Sequence, residues 1–360
     1  MPAPRRDLDA IRARLLGWLR ARLPHARALE LGPLTGPAAT GFSSDTLLFE
    51  LAWQEEGRRV VRGLACRLQP TGPGVFPRYD VVQQARVMEA LRPTGVPVPA
   101  VLWLERDPDP LGSPVFVMER IEGRIPTDTP PYHGGGWVTE IAPEERRALW
   151  ESAVDTLAEI HRQDPAALGL DFLEAPPPRS DTVGWQIEHW ARYADWVTGD
   201  RRQRLLDEAL AWLRARRPAD PEPPRLCWGD ARIGNMIFRD GRCVAVLDWE
   251  MATLGPPEMD LAWFLYMDRH HCEGIGVPRL PGFPGRDETV ARWERRVGRR
   301  ARDLAWWEAF AGFRFAAIMA RVAQQMHAVG LLPPDSTFAE NNTASQMLAR
   351  ELGLPPPGSS

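Results

Sequence analysis

The chain has 360 residues, with 44 basic and 48 acidic side chains, a formal net charge of −4 and a sequence pI near 6.0. That length suits about two domains, or one two-lobed enzyme, at roughly 100–200 residues per domain. The near balance of charge excludes a nucleic-acid binder working by bulk electrostatics, and no run approaches ~18 uncharged apolar residues, so no transmembrane helix is expected.

Arg5, Arg6, Asp7 and Asp9 crowd the first ten residues without an apolar core, so no secretory signal is expected. Cys66, Cys227, Cys243 and Cys272 show no CxxC spacing and are too few for a disulfide framework. These readings point to a reduced, cytoplasmic protein with no nucleic-acid or membrane partner; they leave the oligomeric state open. Every basic residue is Arg, because the sequence contains no Lys. Chemistry that commonly falls to Lys must here be done by Arg or not at all.

The first predicted element is a helix over about Asp7 to Leu23, where Leu8, Ile11, Leu15, Leu19 and Leu23 recur at helical spacing. Two strand-like runs, Thr46–Trp53 and Val60–Leu68, flank Glu55-Glu56-Gly57 and read as a hairpin. A helix is predicted from Arg78 to Leu91, an extended segment from Pro97 to Leu104, and a short strand over Val115–Met118. This order describes a small mixed lobe over residues 30–118.

Beyond Glu122-Gly123 the pattern becomes helical. Pro143 with Glu144 and Glu145 marks a helix start, since proline fits the first turn and acids suit the N-terminal dipole. Further helices are predicted near Gln186–Val197, Arg202–Arg216, Leu304–Ala328 and Phe338–Leu352, with a proline-rich linker at Pro218–Pro224. The whole reads as an α+β, two-lobed chain. Its N-terminal lobe covers residues 1–118, a hinge 119–123, a helical lobe 124–354 with a loop of chemical interest at 226–250, and a disordered tail 355–360.

Within 226–250, Met236-Ile237-Phe238 and Val244–Leu247 are short apolar strands around Asp240-Gly241, a strong hairpin turn signal. The hairpin brings Asn235, before its first strand, near Asp248, after its second; Asp230 lies on the loop leading in. Two carboxylates and an amide thus converge. Phosphoryl transfer needs such a set: one carboxylate for the attacking hydroxyl, and a carboxylate and amide oxygen for Mg²⁺. The spacing from Asp230 to Asn235 is also that of a kinase catalytic loop.

Trp228-Gly229-Asp230, Asn235, Asp248-Trp249-Glu250 and Leu254-Gly255-Pro256-Pro257-Glu258-Met259-Asp260-Leu261-Ala262 together resemble the aminoglycoside phosphotransferase, or phosphotransferase enzyme, family of kinase-like proteins. The resemblance runs from about Gly41 to Leu354 and is nearest to the kinase domains fused to acyl-CoA dehydrogenases. It implies a two-lobed protein-kinase-like fold with ATP bound between lobes. It also implies phosphorylation of a hydroxyl on a small molecule: an antibiotic or natural product, or a hydroxyacyl-CoA.

Residue by residue, the resemblance makes Asp230 the catalytic carboxylate and Asn235 and Asp248 the Mg²⁺ ligands. Glu119 (by its carbonyl) and Ile121 (by its amide) would hold adenine, and Ser43 would lie in the turn over the phosphates. Asp260 either braces the catalytic loop or caps the helix at Leu261. The family's strand Lys is replaced by Arg67, with Arg62 as second choice; its helix Glu falls at Gln84; its His before Gly-Asp is Trp228. An alternative is a nucleotide-binding pseudokinase acting as an interaction module. The presumed acceptor segments, 124–200 and 263–290, carry scattered acids and many aromatic residues, which disfavours a polycationic acceptor. His270-His271-Cys272-Glu273 looks metal-like, but adjacent residues project in different directions, so no metal site is expected there.

Overall fold

The computed structural model describes residues 7–36, 45–173, 181–219 and 223–358. The chain divides into two compact units, residues 1–122 and 123–360.

The first unit begins with α1 (Leu8–Arg22), whose N-terminus is capped by Asp7: its carboxylate accepts from the Asp9 and Ala10 amides. Leu15, Trp18 and Leu19, at i, i+3 and i+4, form its buried stripe. A strand that the sequence pattern did not reveal follows, β1 (Arg27–Leu31). It is short and only its last residue is buried, so its pairing defines it. The hairpin is β2 (Asp45–Glu55) and β3 (Arg58–Leu68). Its turn places Glu56 and Gly57 at φ 49° and 76°, the positive pair that a tight hairpin turn requires.

Next come α2 (Val81–Leu91), β4 (Val101–Glu105) and β5 (Val115–Glu119). α2 starts three residues beyond Arg78 because Asp80 takes the cap, accepting from the Gln83 amide at 2.8 Å. The sheet is antiparallel with order β1-β2-β3-β5-β4. Leu47, Phe49, Leu51, Leu64, Cys66 and Leu68 join Leu15 and Leu19 in one core. The two-residue period of a strand puts Arg67 on the opposite face from Leu64, Cys66 and Leu68.

The second unit is mostly helical. It holds α3 (Trp137–Glu140), α4 (Pro143–Arg162), α5 (Thr182–Thr198) and α6 (Arg204–Ala215). Four short strands follow: β6 (Arg225–Cys227), β7 (Met236–Arg239), β8 (Arg242–Val246) and β9 (Thr253–Gly255). The unit closes with α7 (Glu258–Arg269), α8 (Arg286–Val297), α9 (Leu304–Ala328) and α10 (Thr343–Leu352). β7 and β8 form the expected hairpin across Asp240-Gly241. β6 pairs antiparallel with β9, which ties the two ends of the 226–255 segment together.

Three helices carry no readable period, among them α3, a single turn of four residues. Residues 258–268 of α7 are all buried, so no polar face marks a helical period. α8 is rich in charge and buries only Thr289 and Trp293, one turn apart. No helix among the described residues is long and apolar enough to cross a membrane.

Candidate functional site

Asp230 lies on the loop between β6 and β7, in the second unit. Its side chain is 17% exposed and is held by three donors. The Trp263 indole Nε1 donates to Oδ1 at 2.8 Å. Arg232 Nε and Asn235 Nδ2 donate to Oδ2 at 3.1 and 2.6 Å. Arg232, on the same loop, is therefore held against the carboxylate.

Asn235 is buried in a short 3₁₀ turn, and its amide nitrogen also donates to the Asp230 carbonyl at 3.2 Å. Because the nitrogen is committed to Asp230, the amide oxygen is turned away from it. Asp248 follows β8, and the two strand ends are joined by Leu247 N–H donating to the Asn235 carbonyl at 2.9 Å. Asp248 has φ 59°, in the left-handed region that few residues other than glycine adopt. A residue held there marks a site where surrounding structure fixes the backbone.

The loop is braced from behind. Asp260 is 0% exposed, and its carboxylate accepts from the amides of Trp228 and Gly229, the latter at 2.9 Å. The helix cap reading fails, since Pro257 occupies the cap position and Asp260 lies inside α7. His161 stands beyond it. Trp293 Nε1 donates to His161 Nδ1 at 2.9 Å, so His161 Nε2 carries the proton and faces Asp260 at 3.3 Å. Gly229 has φ 94°, and a Cβ there would lie 2.2 Å from the Met251 carbonyl oxygen, so only glycine fits before Asp230. Trp228, where the family has His, is fully buried and donates from Nε1 to the Leu247 carbonyl at 2.8 Å.

Arg314 on α9 was not visible as a site residue from sequence. It is 1% exposed, donates from Nη2 to the Gly229 carbonyl at 2.9 Å, and lies 4.6 and 4.5 Å from the Trp190 and Trp263 ring centres. Burial pushes its pKa down to about 10, even though Asp260 and Asp230 favour the charged form. Among the described residues, its Nε and Nη1 have no hydrogen-bond partner. One signal for Trp263 exists in the sequence: Asp260 and Trp263 are three apart, so one face of a helix delivers both.

Among the described residues, the ligand atoms of the metal-like run 270–273 do not converge with one another. Residues His270–Gly274 form a π-helical turn, and burial pushes the His270 pKa down to about 3. Another group, His133, Asp268 and Cys272, has ligand atoms within 4.8 Å of one another. Its hydrogen bonds are already committed, however. Leu280 N–H donates to His133 Nδ1 at 3.2 Å, so Nε2–H donates to Asp268 Oδ1 at 2.9 Å. Tyr132 Oη and Arg279 Nε also donate to Asp268, at 2.9 and 2.8 Å. Burial pushes the Cys272 thiol up to about 11, which keeps it protonated. This cluster is a hydrogen-bonded brace.

The remaining predicted residues lie in the first unit. Arg67 is 8% exposed on β3, in register with Thr46 and Phe116. Arg62 is exposed, its guanidinium 5.7 Å over the Trp53 ring. Gln84 on α2 is 2% exposed, and its Nε2 has no hydrogen-bond partner among the described residues. Glu119 ends β5, and Arg120 N–H donates to the Gly63 carbonyl at 3.0 Å, which carries the strand pairing to the edge of Ile121. Ser43 and the Gly41–Ser44 turn lie outside the described residues. Arg67→Ala is expected to weaken nucleotide binding more than Arg62→Ala, because only Arg67 is withdrawn from solvent. Calorimetric titration with ADP checks this, and the reverse order would move the phosphate grip to Arg62.

Residues 37–296 match the sequence profile of the phosphotransferase enzyme family. The chain is 30% identical over 298 residues to "Probable acyl-CoA dehydrogenase IBR3" of Arabidopsis thaliana, covering 77% of this chain and 34% of that one. It is 34% identical over 199 residues to acyl-CoA dehydrogenase family member 11 of Gallus gallus, covering 55% and 24%. The chain thus spans about a third or less of the length of these curated relatives. Among solved structures it resembles a "putative aminoglycoside phosphotransferase" of Ralstonia eutropha, with a TM-score of 0.65 and 25% identity over 91% of this chain and 92% of that one. The five-stranded antiparallel sheet of one unit and the helical body of the other are this kinase-like α+β fold. With its loop, hairpin and bracing helix all falling inside the matched span, this chain belongs to the phosphotransferase enzyme family.

Proposed function

We propose that the chain is a small-molecule kinase that transfers the γ-phosphoryl group of ATP, with Mg²⁺, to a hydroxyl. The observation that carries this reading is the fixed set of Asp230, Asn235 and Asp248 on one loop and hairpin. The donor chemistry suits a hard cation: Asn235 offers an amide oxygen turned from Asp230, and Asp248 a carboxylate. When bound, Mg·ATP supplies the phosphoryl group and neutralises the charge on its oxygens.

The chain's own residues do the rest. Asp230 receives the acceptor hydroxyl, orients its oxygen and takes up its proton on a carboxylate oxygen. Trp263, Arg232 and Asn235 hold that carboxylate in one orientation, so geometry contributes more than basicity. Arg67 takes the phosphate-gripping role of the absent Lys, and its planar guanidinium can hold phosphate bidentately. The unpartnered Gln84 Nε2 in the same unit supports a polar ligand there. Glu119 and Ile121 hold adenine by backbone groups, and the family resemblance assigns Ser43 to the phosphate-covering segment.

Two guanidinium groups, Arg232 and Arg314, stand on or beside the Asp230 loop. Asp230 and Asp128 neutralise Arg232, so it is the scattered acids and many aromatic residues of segments 124–200 and 263–290 that disfavour a polycationic acceptor such as an aminoglycoside. A neutral or anionic hydroxyl compound fits better, and the acyl-CoA dehydrogenase relatives add hydroxyacyl-CoA to the natural products as a class to test.

The test is Mg²⁺-dependent ATP consumption against a panel of aminoglycosides, macrolides, nucleosides, sugars and hydroxyacyl-CoAs. A phosphate-sized mass gain on one acceptor is expected. ATP binding without any modified acceptor would favour a pseudokinase, and no ATP binding would overturn the reading of both units.

A further inference from the structure

Asp128 lies in the segment between β5 and α3, about a hundred residues before the catalytic loop, and no motif marks it. Its carboxylate nevertheless reaches that loop. Arg232 Nη1 donates to Asp128 Oδ1 and Oδ2 at 2.7 and 2.6 Å, while Arg232 Nε donates to Asp230 Oδ2 at 3.1 Å. One guanidinium is thus shared between two carboxylates. Its own side chain is only 17% exposed, and the two acids raise its pKa against the effect of burial.

Asp128 is itself fixed. His271 Nε2 faces Asp128 Oδ1 at 3.1 Å, and His271 Nδ1 faces the Met267 carbonyl at 2.7 Å. A carbonyl only accepts, so Nδ1 carries a proton, and Nε2 donates to Asp128 only when the ring is protonated at both nitrogens. The ring also stacks on Tyr132, with centres 4.7 Å apart and planes 20° apart, and Tyr132 is anchored through Asp268. Burial pushes the Asp128 carboxyl up, but Arg232 and His271 overcome this and hold it well below the usual carboxylate range. Asp128 and Arg232 are therefore both charged at neutral pH.

We propose that Asp128 is a positioning residue for phosphoryl transfer. It holds the Arg232 guanidinium through Nη1, in the orientation in which Nε meets Asp230. Without Asp128 the guanidinium is free to turn its fork onto Asp230 and form a two-pronged pair. That pair would cover the oxygen lone pairs that the acceptor hydroxyl must reach. With Asp128 in place, Asp230 Oδ2 meets one Arg N–H and one Asn N–H in fixed directions. The proposal rests on the reading of Asp230 as the group that receives the acceptor hydroxyl.

The experiment uses the full chain with Mg·ATP and water as the phosphoryl acceptor, so it needs no identified substrate. Asp128→Asn is nearly isosteric and removes the charge. Its kcat is expected to fall by about 10²-fold, the scale of a misplaced reacting group, with KM for ATP, ADP affinity and melting temperature unchanged. Asp128→Glu is expected to recover part of kcat, which a merely structural role would not do. A crystal structure of Asp128→Asn is expected to show Arg232 turned onto Asp230. Wild-type kcat in Asp128→Asn, or an unmoved Arg232 in its crystal structure, overturns the proposal. Should Asp128→Asn fail to fold, Asp128→Ser takes its place, since it also frees the Arg232 guanidinium, and wild-type kcat there overturns the proposal equally. Asp230→Asn runs alongside: wild-type turnover in that variant instead overturns the kinase reading.

Discussion

Asp230→Asn is expected to abolish phosphoryl transfer while leaving the fold and the nucleotide affinity in place. The carboxylate accepts from Trp263, Arg232 and Asn235, and each of these donors was placed for an oxygen. An Asn side chain keeps the volume and one acceptor oxygen. It cannot take up a proton from the acceptor hydroxyl, and it turns an NH₂ toward one of the donors. Loss of a positioned general base lowers rates by about 10²–10⁴-fold. Misorientation of the acceptor adds to this. The measurement is kcat and ADP affinity on the purified variant, with its melting curve beside the wild type. ADP affinity is expected to hold because Asp230 is assigned to the acceptor and not to the nucleotide. Normal turnover would remove Asp230 from the reaction.

Asp260→Ala is expected to be the most destabilising single substitution in the second unit. The carboxylate is fully buried and accepts from two backbone amides, with His161 Nε2 at 3.3 Å. Removing it leaves the Trp228 and Gly229 amides and the His161 ring proton in a dry core, with the buried Arg314 nearby. Breaking a buried charge network by removing one partner costs about 3–5 kcal/mol. The same change releases the backbone immediately before Asp230, so activity should fall with stability. Asp260→Asn keeps one acceptor oxygen and should fall between the two. Urea denaturation of the three proteins checks the order wild type, Asn, Ala. An Ala variant with the wild-type midpoint would show that these amides find other partners.

The two expected effects differ in kind because α7 acts at two levels. Asp260 holds the loop backbone, and Trp263, three residues on, holds the Asp230 carboxylate. The same line runs through Met267, whose carbonyl holds His271, and so to Asp128 and Arg232. One buried helix thus fixes both ends of the loop's hydrogen-bond chain.

Much of this was determined by sequence alone. The hairpin at Asp240-Gly241 follows from local turn chemistry, as does its consequence that Asn235 and Asp248 stand at neighbouring strand ends. Asp7 and Asp80 cap their helices for equally local reasons. The family resemblance rested on short, closely spaced motifs, which is why it could be read without any knowledge of packing.

Tertiary structure decided the rest. β1, β6 and β9 are three to five residues long and exist because partners pair with them. α7 is buried all round, so it shows no polar face. Arg314 and Asp128 lie 84 and 102 residues from Asp230 and meet its loop only through the fold. Sequence shows periodicity and local chemistry; which distant charge is brought beside Asp230 depends on how the helices pack, and no local pattern records that.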